Sequence, residues 1–473
     1  MYINGEWITS GEKFAVFNPA NGEQIGEVID ANAEDAARAI DAASEAFPSW
    51  SAATNYERSA KLYKAYELMM EKQKSLAELM TKEQGKPLKA AMNEVKYAAD
   101  FLLWFAEEAK RLYGETIPSA RKDQRFLVHK QAIGVVAAVT PWNYPVSMIT
   151  RKVAPALAAG CCIVLKPAES TPLCAVAVFQ ILEQAGFPAG VINLVTTSSP
   201  APVGEEFCSN PKVRKLTFTG STAVGKKLAQ DAAAQLKRVS LELGGHAPFI
   251  VFDDADPVHA AKGVSLVKFL NTGQACISPN RIFVHRSIID TFLDTLAQRI
   301  SKMKCGDGML EGVSIGPLVS SQAIDKVDNQ VQNALSVGAK LHCGGERLIE
   351  NNLDKGHFYA PTLLSEVTPE MLIYKEETFG PVAPVIAFET QEEVLAMAND
   401  TNYGLASYVY TRDLSRALTM FEGLQFGIVG INDINPTSAA APFGGMKESG
   451  IGREGAREGI DEYLETKLAG ISI

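Results

Sequence analysis

The chain lacks an apolar run long enough to cross a membrane: the longest, Val153 to Leu165, ends at Lys166 and falls short of the roughly 18 residues a spanning helix needs. Its first residues, Met1-Tyr-Ile-Asn-Gly-Glu6, have neither the basic nor the apolar segment of a secretory leader. There is no surplus of basic charge. Lys and Arg total 45 against 55 Asp and Glu, a net charge of −10, the wrong sign for a nucleic-acid surface. An anionic ligand must therefore find a local basic or amide-lined pocket. Cysteine is sparse and unpatterned: Cys161, Cys162, Cys174, Cys208, Cys276, Cys305 and Cys343 form an odd set without Cys-x-x-Cys and without His at ligand spacing. That excludes a disulfide framework, gives no expectation of a metal, and points to thiols in a reducing, cytoplasmic compartment. Short-period repeats and low-complexity tracts are missing too. What is present is 473 residues, 47% hydrophobic and 21% charged, the profile of a globular protein too long for one core, so two or three lobes are expected.

The order of elements predicts an α/β fold. Asn4-Gly5 between apolar residues signals a small hairpin. Asn32-Ala-Glu-Asp35 and the capping box Thr54-Asn-Tyr-Glu57 each open a long helix, the second ending near Gly85-Lys-Pro87. Continuous, partly β-branched apolar runs at 133–139 and 161–165 read as strands buried on both faces of a parallel sheet. The alternation continues through 191–195, 215–219 and 248–252, a doubly wound lobe. A second series, at 283–284, 382–388 and 407–410, predicts a second α/β lobe.

Several short motifs carry chemistry only in context. Gly450-Ile-Gly-Arg-Glu-Gly455 fits a dinucleotide fingerprint by letter, but no buried strand precedes it and too little chain follows. Gly220-Ser-Thr-Ala-Val-Gly-Lys226 resembles a phosphate loop, yet Lys227 stands where a magnesium-binding Ser or Thr is required, which excludes an ATPase. What remains there is a strand followed by a helix start whose free N–H groups suit phosphate oxygens; the plain alternative is an ordinary β–α turn. Cys276 lies in the polar turn Asn271-Thr-Gly-Gln-Ala-Cys276, suited to an exposed thiol, where an arbitrary Cys is usually buried and inert. Glu242 ends an apolar stretch and could enter a cleft, where a lone Glu is usually solvated; Asn143, in Pro141-Trp-Asn-Tyr-Pro145, could donate to an oxyanion or simply occupy a proline-braced loop.

Together, Trp142-Asn143, Lys166-Pro-Ala-Glu169, Phe218-Thr-Gly-Ser221, Glu242-Leu-Gly-Gly245, Gly273-Gln-Ala-Cys276, Glu377-Thr-Phe-Gly-Pro381 and Pro442-Phe-Gly-Gly445 give an order and spacing that resembles the NAD(P)-dependent aldehyde dehydrogenase superfamily over essentially the whole chain. Gly244-Gly-His246, Met148-Ile-Thr-Arg-Lys152 and Lys447-Glu-Ser-Gly-Ile-Gly-Arg453 resemble its bacterial succinate-semialdehyde branch. The resemblance implies a Rossmann-like cofactor lobe (1–114 and 132–244), a catalytic lobe (245–445) and a small β oligomerisation arm (115–131 and 446–473), assembled as a homodimer or homotetramer.

It also implies roles. Cys276 would attack the aldehyde, Asn143 and the Cys276 N–H would stabilise the oxyanion, Glu242 would activate water on the resulting thioester, and Lys152 with Glu465 would support proton movement. NAD is the implied cofactor, with NADP as alternative. Lys166 and Glu169 would hold the adenosine ribose, Gly220-Ser221 and Val224 would face the pyrophosphate, and Glu377 with Phe379 would steady the nicotinamide ribose. Pro141, Trp142, Gly204, Phe218 and Gly244 would line the same site, although Pro200 and Pro202 depart from the glycine common before Gly204 in relatives. Arg151 and Ser438 would hold a substrate carboxylate. Leu270 stands where that branch carries a second arginine, and Ser278 where it often carries a second cysteine. The implied reaction is oxidation of succinate semialdehyde to succinate; the alternatives are a broad-range or glycolaldehyde-type enzyme and a catalytically idle structural relative.

Overall fold

The computed structural model describes residues 1–350 and 352–473. Two α/β lobes are built on separate sheets. The first sheet runs in the order Glu6–Trp7, Tyr2–Ile3, Ile192–Leu194, Cys162–Lys166, Val135–Val139, Val213–Thr219, Arg238–Glu242 and Gly450–Ile451. Its five central strands are parallel and its edges antiparallel. The predicted hairpin forms, with Asn4 and Gly5 both at positive φ as a two-residue turn of that kind requires. Asn32 and Thr54 both close capping boxes. The second expected helix divides at Lys72 into Asn55–Glu71 and Gln73–Gln84, the latter ending on a left-handed Gly85.

The second sheet has the order Lys340–Cys343, Thr362–Ser365, Val382–Phe388, Pro279–His285, Ala247–Val251, Ala406–Tyr410 and Ile428–Ile431. The strand at 247–251 is central to this sheet, not a continuation of the first, as its apolar run alone had suggested. Strand polarity explains the site: Thr219 and Glu242 end neighbouring parallel strands of the first sheet, so the loops that follow open on one side of it. A third sheet pairs Leu464–Ser472 with Gln124–Ala132 over nine residues, and Gln124–Ala132 with Glu115–Ile117. Between 446 and 463 the chain returns to the first lobe: Gly450–Ile451 pairs with Leu241 and Glu242, and Ile460 and Tyr463 join its core. Among the described residues, no helix is long and apolar enough to cross a membrane.

Candidate active site

Cys276 sits where two cavities meet. One, of about 280 Å³, is lined by Pro141, Trp142, Asn143, Gly220, Ser221, Glu242, Gly244, Glu377 and Phe379 as well as Cys276. The other, of about 320 Å³, lies on the far side of the thiol and is walled by residues such as Glu94, Tyr97, Arg151, Leu270 and Thr437. Cys276 and Met148 belong to both walls.

The turn carrying the thiol is held by its own sequence. Asn271, Thr272 and Gly273 take three successive positive φ values. At Gly273 a Cβ would stand 2.1 Å from the Gly380 carbonyl oxygen, so only glycine lets the turn approach that loop. Thr272 Oγ1 bonds Gly316 and the Gln274 side chain bonds Pro317 and Val319, fixing the turn against the second lobe. Across from it, Gly245 passes so near that a Cβ would lie 2.3 Å from the Cys276 carbonyl oxygen. Asn143 is buried, and its Nδ2 donates to Gln274 O at 3.1 Å, which brings the amide to the nucleophile's turn.

Glu242 is buried at a strand end, and its Oε1 has no hydrogen-bond partner among the described residues. Burial pushes its carboxyl up to about 7, against the pull of Arg151. Burial also raises the Cys276 thiol, and the neighbouring Glu242 carboxyl raises it further. The thiol therefore needs a base before it can attack.

In the first cavity Glu377 Oε1 accepts the Gly245 N–H at 3.0 Å, and burial raises this carboxyl to about 7. Phe379, at positive φ, packs edge-on against Trp142 at 5.6 Å. A Cβ at Gly244 would reach within 3.0 Å of Glu377 Oε2. Ser221 caps the helix Thr222–Ala233 by accepting the Val224 N–H, and the helix start is exposed at Ala223 and Val224. Thr219 and Thr378 present buried hydroxyls without partners among the described residues. Unfilled donors, a helix start and close main-chain approach are what a dinucleotide phosphate and ribose require, so these residues fit one. Lys166, Glu169, Gly204, Phe218 and Val224 lie outside this cavity's wall. Lys166 and Glu169 form a close ion pair, and Phe218 stacks under Gly220, where a Cβ would meet its ring at 2.6 Å.

The second cavity separates expectation from outcome. Arg151 lines it, only 2% exposed, with its guanidinium 3.9 Å over the Phe443 ring. Its Nη2 lies 2.7 Å from Glu454 Oε2. Lys152 is buried behind that wall and donates to Glu454 Oε1 at 2.7 Å and to Thr217 Oγ1 at 3.0 Å. Burial would raise Glu454, but Lys152 and Arg151 outweigh it and hold the carboxyl near 2. The expected partner, Glu465, is instead on the arm, paired with Arg238 at 3.1 Å. Ser438 is exposed and absent from the wall, its hydroxyl accepting the Ala440 N–H; Thr437, one residue earlier, lines the cavity. The loop's turn at Ser438 rotates that side chain outward, a one-residue distinction that motif spacing could not resolve. Glu454 was not expected because it stands inside the Gly450 to Gly455 run, rejected as a cofactor loop. The run's first glycine has a simpler cause: a Cβ at Gly450 would lie 2.0 Å from the Leu241 carbonyl oxygen. Lys326, on the wall of the first cavity, was also missed and belongs to no motif. No metal-binding cluster of His, Cys, Asp or Glu occurs among the described residues.

Residues 7–469 match the model of the aldehyde dehydrogenase family. The chain is 51% identical to the glutarate-semialdehyde dehydrogenase of Pseudomonas putida and 51% identical to an NADP(+) succinate-semialdehyde dehydrogenase of Escherichia coli, covering all of this chain and 97% of each relative. The crystal structure of succinate-semialdehyde dehydrogenase from Burkholderia pseudomallei superposes with a TM-score of 0.97 at 48% identity, over 100% of this chain and 97% of that one.

Proposed function

The chain belongs to the aldehyde dehydrogenase family, an enzyme oxidising an aldehyde to its acid with NAD(P), and from that premise we propose that its substrate is succinate semialdehyde. The observation that carries this reading is Arg151 on the wall of the second cavity, next to Cys276. Arg151 and Lys152 share one carboxylate, Glu454, and the half-ionised Glu242 offsets only part of the positive charge left beside the thiol. A guanidinium with donors to spare suits a carboxylate tail. Thr437 takes the place proposed for Ser438 as the hydroxyl beside it.

Glu242, half ionised near neutral pH, accepts the proton of Cys276, and the thiolate adds to the aldehyde carbon to give a thiohemiacetal. The oxyanion takes hydrogen bonds from Asn143 Nδ2, which exchanges its present bond to Gln274 O, and from the Cys276 N–H. A bound nicotinamide dinucleotide would supply the hydride acceptor for collapse of that oxyanion. Cys276 is then a thioester; Glu242 deprotonates the attacking water, and the thiolate leaves as the acid forms. Lys152 and Glu454 sit behind Arg151 and keep its guanidinium in place. Glu377, Phe379 and Gly244, with Pro141 and Trp142, would hold the dinucleotide's nicotinamide half, Gly220, Ser221 and Val224 its pyrophosphate, and Lys166, Glu169, Gly204 and Phe218 its adenosine half.

We propose the division into a cofactor lobe (1–114 and 132–244), a catalytic lobe (245–445) and an arm (115–131 and 446–473), with 450–463 of that arm segment packed on the cofactor lobe. The arm's last strand is largely exposed, including Leu468 and Ile471, and such an edge favours a homodimer or homotetramer. The seven cysteines are free thiols, which suits the cytoplasm.

The test is a comparison of kcat/KM, followed by absorbance of the reduced cofactor, for succinate semialdehyde, glutarate semialdehyde, glycolaldehyde and butanal. Preference for a carboxylated aldehyde by about tenfold or more is expected from one charge-assisted contact. Glutarate semialdehyde is included because an equally similar relative is named for it. Equal constants for butanal would overturn the substrate and leave the dehydrogenase.

A further inference from the structure

An ion pair beside the second cavity belongs to none of the motifs and to no step of the mechanism. Lys86 and Glu94 are in close contact, each side chain 1% exposed. Lys86 follows the left-handed Gly85, and Glu94 lies on the second turn of the helix Leu88–Ala109. The Lys86 ammonium has three partners for its three donors: the Glu94 carboxylate, the main-chain oxygen of Asn143 at 2.7 Å, and the face of the Tyr144 ring, 3.9 Å to its centre. Although it lines the cavity, it has no donor left for a substrate.

Glu94 Oε1 turns the other way. It accepts the N–H groups of Val146 at 3.0 Å and Ser147 at 3.2 Å. These open the helix Ser147–Ala159, which has no side-chain cap of its own and carries Arg151 and Lys152. One buried pair thus clamps residues 143–147 at both ends. The Asn143 oxygen also receives Asn271 Nδ2 at 2.9 Å, from the left-handed turn that leads to Cys276. That carbonyl is the joint between the clamp and the nucleophile's turn. A buried ion pair is a weak source of stability because desolvation offsets its attraction, so its effect is sought in placement.

We propose that Lys86 and Glu94 are positioning residues for the oxyanion: they fix the Asn143 main chain so that its side-chain amide reaches the oxygen developing on the Cys276 adduct. This rests on Asn143 being the oxyanion donor. The experiment is a double-mutant cycle of Lys86→Met and Asn143→Ala in the full chain, with p-nitrophenyl acetate as substrate and no dinucleotide. The thiol proton passes to Glu242, Cys276 Sγ bonds the acyl carbon, and the oxyanion collapses to expel p-nitrophenolate with the C–O electron pair. The acetyl group stays on sulfur. The first-turnover rate of p-nitrophenolate release therefore reads oxyanion stabilisation without hydride transfer.

Asn143→Ala should slow that rate by about 100-fold and Lys86→Met by about tenfold. The double variant should be no more than about threefold slower than Asn143→Ala alone, because Lys86 acts through Asn143. NADH affinity of Lys86→Met, read by fluorescence, should stay within about twofold, since neither Lys86 nor Glu94 lines the first cavity. Multiplying losses, or loss of NADH affinity in parallel, would overturn the positioning role while leaving Asn143 as donor. An undiminished rate in Asn143→Ala would overturn the donor itself. Should Lys86→Met not fold, Lys86→Met/Glu94→Gln keeps an acceptor for Val146 and Ser147, and in the same cycle a non-multiplying loss again supports the positioning role while a multiplying one overturns it.

Discussion

The two cavities that meet at Cys276 are built in opposite ways. The first is shaped by main chain: Gly220, Gly244 and Gly245 approach their neighbours closely, and hydroxyls of Thr219, Ser221 and Thr378 stand along it. The second is shaped by side chains from separate segments, with Lys86, Glu94 and Arg151 all buried and all paired. A ligand common to a whole family can be held by turns whose glycines cannot vary. A ligand that differs between branches has to be read by side chains that can. The side of the thiol on which a residue sits should therefore decide whether its loss affects every aldehyde or only some.

Cys276 belongs to both sides, so its removal should abolish the distinction. Cys276→Ala should lower kcat by on the order of 10⁴-fold or more for carboxylated and neutral aldehydes alike, while NADH still binds. Stopped-flow absorbance and a fluorescence titration measure the two effects, and surviving turnover would remove the thiol from the chemistry. Glu242 faces the first cavity and should act on all aldehydes equally, most strongly at the hydrolytic step. Glu242→Gln should slow the burst of reduced cofactor by about tenfold, because the thiol loses its base, and the steady state by more, about 10²–10³-fold, because hydrolysis loses it too. Because burial raises this carboxyl to about 7, it is protonated below that pH and unavailable as a base. The wild-type steady state should rise from pH 6 to 8 with its midpoint near 7, and the Gln variant should lose that step. A burst and steady state slowed by the same factor would remove Glu242 from the hydrolytic step.

The same contrast governs what could be read from sequence. Strand–turn–helix boundaries with glycines at fixed places are local, so Gly220-Ser221, Glu242 to Gly245 and the Cys276 turn were legible as units. The hairpin at Asn4-Gly5 and the helix starts after Asn32 and Thr54 were legible for the same reason. The second cavity depends on which residues face inward after long-range packing. Thr437 and Ser438 differ by one position in an irregular loop, and Glu454 reaches Lys152 across about 300 residues of chain. Periodicity carries no information on such pairings. Leu270, noted as a departure, does line the cavity and is 44% exposed, adding apolar surface at the position where the resemblance implied an arginine.

Arg151 tests the side-chain half of the comparison. Arg151→Ala should raise KM for succinate semialdehyde by about 10- to 100-fold, the worth of a charge-assisted contact, and KM for butanal by less than about threefold. Glu454 keeps Lys152 as its partner in that variant, so the loss reports substrate recognition and not an orphaned buried carboxylate. Equal shifts for both aldehydes would place carboxylate reading elsewhere on the wall.

Glu169 gives the smallest effect, because its charge is already engaged. As a free carboxylate near the adenosine ribose it would repel a 2′-phosphate and favour NAD strongly. Here it is in close contact with Lys166, whose ammonium is buried while the Glu169 side chain is 39% exposed. The pair presents nearly neutral charge to the ribose, and solvent on the Glu169 side screens what remains. Glu169→Gln should therefore shift the ratio of kcat/KM for NAD over NADP by only about two- to fivefold toward NADP, measured with one aldehyde at fixed ionic strength. The shift should shrink as salt is added. A change of 100-fold would mean that Glu169 contacts the ribose as an unpaired charge. No change at all would move dinucleotide choice off this residue and onto the main chain that shapes the rest of the cleft.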